Sequence, residues 1–543
     1  MERLRENSTA KLVVVGFMGA GKTTTARESA AALGVPFADA DSEIERRLGE
    51  PIAAFFDREG EEAFREVEQE VVLELLADDQ PGVVSLGGGA VQRPAVTAAL
   101  GAHVCVYLPV DEEIAWGRAG GSERPLARDR DAFEALHAVR RPLYEAAAHA
   151  TVPARAEREA RVRAVRHARA LLRPEVPGSV RMLWADVGPG HPVWIGPGVL
   201  RAAGALWMRP GRCFVVADEM AHALHGGMLE DALAGFVEVA ETVLVPPGER
   251  NKTLAEAERV LRALASAGMQ RNDTIVAFGG GVVGDLAGFV AATYQRGVAV
   301  VQVPTTVVAQ VDSAYGGKTG VDLPEGKNYV GAYHQPAAVF TDPSLTATLP
   351  EEELRAGFAE VLKTGLIAGE PLWGEVMALD PLASAREDTD KLTRVIEGCT
   401  RVKLDVVGRD EREEGLRAVL NLGHTFAHAL ESATGYERFR HGEAVGLGLL
   451  VALRLSELEA GLSPAVRECV HGLLDTHGLP TSFTGPSTDE LLGLYAADKK
   501  RRGDRQNLVL LREPGDVIVG AEVPSQEIAA AIDEIRQEQE AAA

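Results

Sequence analysis

The sequence predicts two consecutive α/β units, the second running on into an all-helical half, and three observations carry that prediction. Residues 11–33 read as strand, glycine loop and helix. Residues 273–293 repeat that order with a different loop. Beyond Leu349-Pro350 the apolar residues change to three-and-four spacing, the period of a helix packed on one face.

At 543 residues the chain exceeds one ordinary core and suggests about three or four domain-sized pieces. Apolar content of 46% with mean hydropathy near zero describes a soluble protein. The nearest approach to the roughly 18-residue apolar run of a membrane span is 444–453, which glycine interrupts. Residues 1–10 carry charge and no apolar segment, unlike a secretory signal, so a cytoplasmic protein with no membrane partner is expected. Cys105, Cys213, Cys399 and Cys469 are scattered, which suits reduced thiols. The net charge of −24 argues against a nucleic-acid partner, because such binding runs on surplus Lys and Arg. It also means that anionic substrates require cations gathered locally.

In the first unit, the strand at 11–15 leads into Gly16-Phe17-Met18-Gly19-Ala20-Gly21-Lys22-Thr23 and a helix to residue 33. This is G-x-x-x-x-G-K-T in the strand–loop–helix setting that a P-loop requires. The loop N–H groups, with Gly19, Gly21 and Thr24 at its turn, would wrap the phosphates of ATP; Lys22 reaches the β and γ oxygens and Thr23 holds Mg²⁺. Asp39 and Asp41 end a second short strand. They could cap the helix starting near Ser42, or one could support Mg²⁺ while the other accepts a hydroxyl proton. Phe64-Arg65, Gly87-Gly88-Gly89 after a strand at 83–86, Arg124-Pro125-Leu126 and Arg140 complete the set. An Arg-rich helix over 157–172 closes the unit, and residues 174–179 form a short, proline-stiffened linker.

Over residues 11–172 these blocks resemble shikimate kinase. The resemblance implies transfer of phosphate from ATP to shikimate, with Asp41 on the shikimate hydroxyls as base and Asp39 assisting magnesium. It places Arg65 and Arg140 on the carboxylate beside Gly88 and Gly89, and Arg124 on a lid over 117–126. Arg141 adjoins Arg140, and the choice between them rests on alignment to Pro142-Leu143-Tyr144. The rival reading, a nucleotide-binding regulatory module without kinase activity, has no use for the acceptor arginines.

The second unit opens with strands at 180–187 and 192–195. A further strand at 214–217 ends in Asp218, and another, at 274–278, runs into Gly279-Gly280-Gly281, Gly284, Asp285 and a helix to 293. Such a helix start can hold a pyrophosphate. The acid that ordinarily follows about 20 residues after G-x-G-x-x-G is missing from 298–306, so Asp218, upstream, is the nearer candidate. Arg296, Thr305, Thr306, Asp312, Lys318, Lys327 and Asn328 then stand among small residues without helical or alternating period, which marks ligand-facing turns. Farther on come Glu360 and Lys363, Asn421-Leu422-Gly423-His424-Thr425-Phe426-Ala427-His428, and His441-Gly442-Glu443. A carboxylate and imidazoles from separate segments suit a divalent metal, typically zinc; singly, each histidine is more often a core or cap residue, and His424 with His428 could be one plain helix face. Helices are expected over 351–366, 391–407, 416–434 and 444–460, with the active site in the cleft they form with the α/β half.

From about residue 180 to the C-terminal region, these blocks resemble 3-dehydroquinate synthase. That resemblance implies conversion of the phosphorylated seven-carbon sugar acid DAHP to 3-dehydroquinate with release of phosphate, using NAD non-consumptively and Zn²⁺ or Co²⁺. It implies that Glu360, His424 and His441 hold the metal; that Asp218, Glu249, Lys252, Gly281, Gly284, Asp285, Thr305, Thr306, Asp312 and Lys327 line the nucleotide; and that Lys318, Asn328, Lys363, Lys403, Arg417, Asn421 and one of Lys499 and Lys500 surround the substrate. His428 is the proton handler, and Arg296 crosses to a second subunit of a homodimer. Ala427 and Thr364 depart from the family pattern, where a glycine and an aromatic are common. A polyol dehydrogenase, the rival, would have no anion cluster. The expected organisation is a kinase domain at 1–173, the linker at 174–179, a nucleotide-binding half at 180–349 and a helical metal-binding half at 350–543.

Overall fold

Leu12–Val15 (β1) are each at most 2% exposed, as a parallel strand covered on both faces must be. The computed structural model to which they belong describes residues 9–80, 82–120, 126, 128–497, 501–502 and 505–537; Arg124, Asp498-Lys499-Lys500 and most of the C-terminal tail lie outside them. By contacts the chain divides into two compact units, Met1–Met208 and Arg209–Ala543.

In the first unit β1 lies between β3 (Val83–Ser85) and β4 (Val104–Tyr107), with β2 (Phe37–Asp39) outside β3 and β5 (Ala150–Thr151) outside β4, all parallel. β6 (Arg181–Ala185) then pairs in parallel with β5, and β7 (His191–Ile195) folds back on β6. Sequence placed the change of unit at 174–179, whereas the contact division falls at 208, because the β6–β7 hairpin continues the first unit's sheet.

The second unit has a parallel sheet in the order β9 (Val239–Val245), β8 (Cys213–Asp218), β10 (Thr274–Gly279), β11 (Ala299–Pro304), β14 (Ala338–Thr341). An antiparallel ribbon, β12 (Lys318–Leu323) and β13 (Gly326–Tyr333), stands beside it. Helices Glu351–Ala368, Thr389–Arg409 and His441–Ala460 follow the expected periodicity. The helix expected over 416–434 is broken: a 3₁₀ turn, Leu416–Asn421, gives way to the helix His424–Ala433 through Gly423, whose φ of 76° a side chain would strain. The helical half also contains a β-hairpin, Arg505–Glu513 and Asp516–Pro524, followed by the helix Ser525–Ile535; sequence reading had not separated the hairpin from the helices. Leu508, Leu510 and Leu511 are buried, and the N–H of Leu511 donates to Ser456 Oγ at 3.0 Å, tying the hairpin to the long helix His441–Ala460. No described helix is long and apolar enough to cross a membrane.

Candidate active sites

In the first unit the helix Lys22–Leu33 starts on Gly21 (φ 82°) with no side-chain cap, so its first N–H groups face the loop. Lys22 Nζ donates to the Phe17 carbonyl at 3.1 Å, and Arg118 Nη1 to the Gly19 carbonyl at 3.0 Å. Arg118 had not been singled out; its only signal was its place in the segment read as a lid. Thr23 is half-buried and Thr24 exposed on the same turn. Asp39 caps the helix Ala40–Leu48, accepting from Ser42 N at 3.1 Å, while Asp41 is exposed on its first turn and faces Gly87.

Arg65 and Arg140 are both buried. Arg65 Nη1 donates to Glu68 Oε2 at 2.6 Å, and burial of Glu68 pushes its carboxyl up against that pairing. Arg140 Nη2 donates to Gln92 Oε1 at 2.9 Å, whereas its Nε meets no acceptor among the described residues. Burial lowers this guanidinium from its usual range, so an incoming carboxylate would be well received. A Cβ on Gly89 would lie 2.0 Å from Arg65 Nη1, and one on Gly88 3.8 Å from Arg140 Nη1: the glycine turn passes directly before both cations. Arg141 is exposed and paired with Glu145 at 2.8 Å, so Arg140 is the arginine that turns inward.

In the second unit the strands β8, β10 and β11 end side by side at Asp218, Gly279 and Thr305-Thr306. Thr305 N donates to the Gly279 carbonyl at 2.9 Å, and a Cβ on Gly280 would lie 3.0 Å from Thr306 Cγ2. The helix Gly281–Thr293 begins here with no side-chain cap, and Gly284 packs on Gln302. Asp218 adjoins Gly279, but its Oδ1 accepts from Met220 N and Ala221 N at 2.9 and 3.0 Å, capping its own helix.

Buried Lys252 gathers the neighbouring acids. Its Nζ lies 2.9 Å from Glu249, 3.3 Å from Asp285 and 3.7 Å from Asp322, and donates to Asn328 Oδ1 at 2.8 Å. Burial pulls the ammonium down, but Asp285 and Glu249 outweigh it and hold it above its usual range. Asp285 itself is pushed up by burial to about 6, against Lys252. Sequence reading had not singled out Asp322; Asn328, expected among the substrate groups, accepts from Lys252 here. Lys327 lies 3.0 Å from Glu431 and over the Tyr436 ring. Arg296 is exposed on a left-handed turn, φ 67°.

Glu360, His424 and His441 converge, with one ligand atom from each within 4.8 Å of the others. Their approach rests on two glycines: a Cβ on Gly442 would lie 1.9 Å from the Ala356 carbonyl, and one on Gly448 2.1 Å from that of Gly423. Backbone contact therefore brings the helices bearing Glu360, His424 and His441 together. His441 Nε2 and His424 Nε2 stand 3.2 and 3.4 Å from Glu360 Oε1, close to the edge of about 3.3 Å that ligands at zinc-like bond lengths make around a tetrahedral ion. The other ring nitrogens are engaged: His424 Nδ1 with the Leu422 carbonyl at 3.2 Å and His441 Nδ1 with Glu431 at 3.4 Å. Against the pull of burial, Glu360 and Glu431 raise His441 to about 10, so the field favours a positive charge, proton or metal cation. The donor set fits a divalent metal. His428, 5.5 Å from His424 ring to ring, is open to solvent on one side yet is pushed down by desolvation and by His424 and His441.

Next to the trio, Lys363 Nζ lies 2.5 Å from Glu360 Oε2 and Lys403 Nζ 2.6 Å from Asp312. Asp312 is held down at about 2: burial would raise it, but Lys403 and Lys363 prevail. Arg417 Nη2 donates to the Gly316 carbonyl at 3.0 Å. Lys318 pairs with Glu413, and Asn421 donates to the same carboxylate at 2.6 Å.

Comparison with known proteins finds relatives for both units. Models of the 3-dehydroquinate synthase N-terminal and C-terminal domains match residues 242–356 and 357–501, and a shikimate kinase model matches 18–168. The 3-dehydroquinate synthase of Acidithiobacillus ferrooxidans is 42% identical over 349 residues, 64% of this chain and 95% of that one. The chain belongs to the 3-dehydroquinate synthase family. The synthase of Halorhodospira halophila is 45% identical over 345 residues, 63% of this chain and 96% of that one. Among solved structures, ValA, a 2-epi-5-epi-valiolone synthase from Streptomyces hygroscopicus with NAD⁺ and Zn²⁺ bound, superposes with a TM-score of 0.59 at 28% identity, covering 64% of this chain and 96% of that one. The chain is thus a bifunctional shikimate-pathway enzyme, a shikimate kinase followed by a 3-dehydroquinate synthase.

Proposed function

We propose that the glycine turn before Arg65 and Arg140 seats the shikimate carboxylate, with Asp41 on the hydroxyl to be phosphorylated and the open helix start at Lys22 under the ATP phosphates. Asp39, although it caps a helix, lies beside Asp41 and can accept a water of Mg²⁺ through its other oxygen. Thr23 supplies the direct magnesium hydroxyl, and Arg124 the lid cation.

In the synthase, Glu360, His424 and His441 hold the metal, and the turn 279–285 with Asp218, Thr305, Thr306, Glu249, Lys252 and Lys327 holds NAD. When bound, NAD⁺ accepts and returns a hydride and the divalent ion steadies the substrate oxygens. The chain's own work is to fix the anion. Lys363, Lys403 and Arg417, with Lys318 and Asn421 and with Lys499 or Lys500, which lie outside the described residues, keep one substrate in place through oxidation, phosphate loss and ring closure. His428, held neutral, can accept a proton where phosphate departs. A cytoplasmic homodimer, with Arg296 reaching the neighbouring site, completes this reading, together with a kinase domain at 1–173 and synthase halves at 180–349 and 350–543.

The observation that carries it is the metal trio beside buried Lys363 and Lys403, a pairing that a dehydrogenase of simple alcohols does not need. With DAHP and catalytic NAD⁺, phosphate should appear far in excess of cofactor without accumulating NADH absorbance. Stoichiometric NADH, or faster turnover of a glycerol-type alcohol, would favour the dehydrogenase.

A further inference from the structure

Residues 410–415 join the helix Thr389–Arg409 to the turn Leu416–Asn421 in a tight loop: Asp410 accepts the N–H groups of Glu414, Gly415 and Arg417, each at 2.9 Å. Inside that loop Glu413 has φ 60°, a conformation that side chains other than Asn and Asp seldom take. Its carboxylate is fully engaged. Lys318 Nζ binds Oε2 and Asn421 Nδ2 donates to Oε1, while Lys318, Asn421 and nearby Arg417 hold the carboxyl below its usual range despite partial burial. The loop meets the β12–β13 ribbon and the chain beyond it through Gln335 Nε2 to Glu411 at 2.9 Å, Tyr333 Oη to the Arg412 carbonyl at 3.3 Å and the Arg412 guanidinium over the Tyr333 ring, and Arg417 Nη1 donates to the Glu411 carbonyl at 2.6 Å. Lys318 is 49% exposed and Glu413 25%, so the pair can part without opening a core; a half-exposed pair of this kind adds little stability and does not account for a strained backbone.

We propose that Glu413 is an internal competitor for the anion seat: its carboxylate occupies Lys318 and Asn421 until an anionic group of the substrate takes its place and the loop 410–415 swings away. The proposal rests on the reading of Lys318 and Asn421 as substrate-binding groups. Exchange of one anion for another keeps the lysine paired in both states, so the seat never holds an uncompensated cation, and affinity for weak anions is lowered by the cost of expelling Glu413. Specificity then favours ligands that also engage Arg417 and Lys403.

Inorganic phosphate is the probe. It is titrated calorimetrically into the NAD- and zinc-loaded full chain, with ADP and Mg²⁺ filling the P-loop. Glu413→Gln and Glu413→Ala should each bind phosphate about tenfold more tightly, Lys318→Ala about tenfold more weakly, and amide exchange over 410–415 should speed up when phosphate binds to the wild type. Phosphate affinity equal to or below wild type in both Glu413 variants, with Lys318→Ala still weakened, would show that Glu413 positions Lys318 and would overturn the competitor. Unchanged affinity in Lys318→Ala would defeat the anion reading beneath it.

Discussion

His441 and Glu431 are joined beside the candidate metal trio, Nδ1 to Oε2 at 3.4 Å, while the other oxygen of Glu431 lies 3.0 Å from Lys327. One buried carboxylate therefore orients a candidate metal ligand and holds the lysine proposed above to line the nucleotide. Glu431→Gln should lower metal affinity about 10- to 100-fold, read by competition with a chelating dye, and synthase activity should return in excess zinc. His441→Ala removes a ligand outright and should not be rescued. Retained metal and synthase rate in His441→Ala would show that the ligand set is assigned wrongly.

Lys22→Met should abolish phosphoryl transfer to shikimate and leave phosphate release from DAHP unchanged, because the P-loop and the metal trio lie in different compact units. The two assays on one preparation decide the matter. Equal loss of both in a folded protein would contradict separate sites.

Gly89→Ala drives a methyl into the Arg65 guanidinium, which Glu68 on one side and Glu61 on the other keep from retreating. The KM for shikimate should rise at least tenfold with little change in the KM for ATP. Arg141→Ala, altering an exposed pair, should change neither by more than about twofold.

Three histidines, His191 buried and His149 and His167 half-buried, make the first unit acid-sensitive. His149 and His167 are lowered to about 4 and His191 to about 3, in each case chiefly by burial. Above pH 6.5 they are neutral folded or unfolded and contribute no pH dependence. Below it the unfolded chain takes up protons that the folded unit refuses, so stability falls with pH until about 4, at up to roughly 1.4 kcal/mol per pH unit for each histidine. Acid titration followed by tryptophan emission should report this, since Trp116, Trp184, Trp194 and Trp207 all lie in this unit. His167→Gln should flatten the slope; an unchanged slope would remove His167 from the account.

Motifs that bind through backbone were readable because they need glycines at fixed offsets: the loop 16–23 in its own strand–loop–helix setting, and the turn 279–281 only together with the blocks around it. The metal trio was legible as residue types. Its assembly depends on Gly442 and Gly448 admitting a carbonyl at van der Waals range, which no linear period announces. Partners set by tertiary approach escaped for the same reason: Asp322 under Lys252, Glu431 behind His441 and Glu413 against Lys318 sit on segments whose local pattern is that of ordinary surface acids. Gly423 was visible as a glycine, but the neighbouring apolar spacing ran across it and hid the break. The C-terminal hairpin alternates imperfectly, with register shifts at Leu508/Val509 and Leu511/Glu513, which blurs its period of two.

The pairing of β6 with β5 bears on how this chain can be cut. A kinase fragment ending at 173 would leave the N–H and C=O groups of Ala150 and Thr151 bare along one side, a template onto which a second fragment could add its own strand. A fragment carried to Met208 keeps that border sewn and retains Trp184 and Trp194 in their packed places. The shorter piece should self-associate with rising concentration on a sizing column.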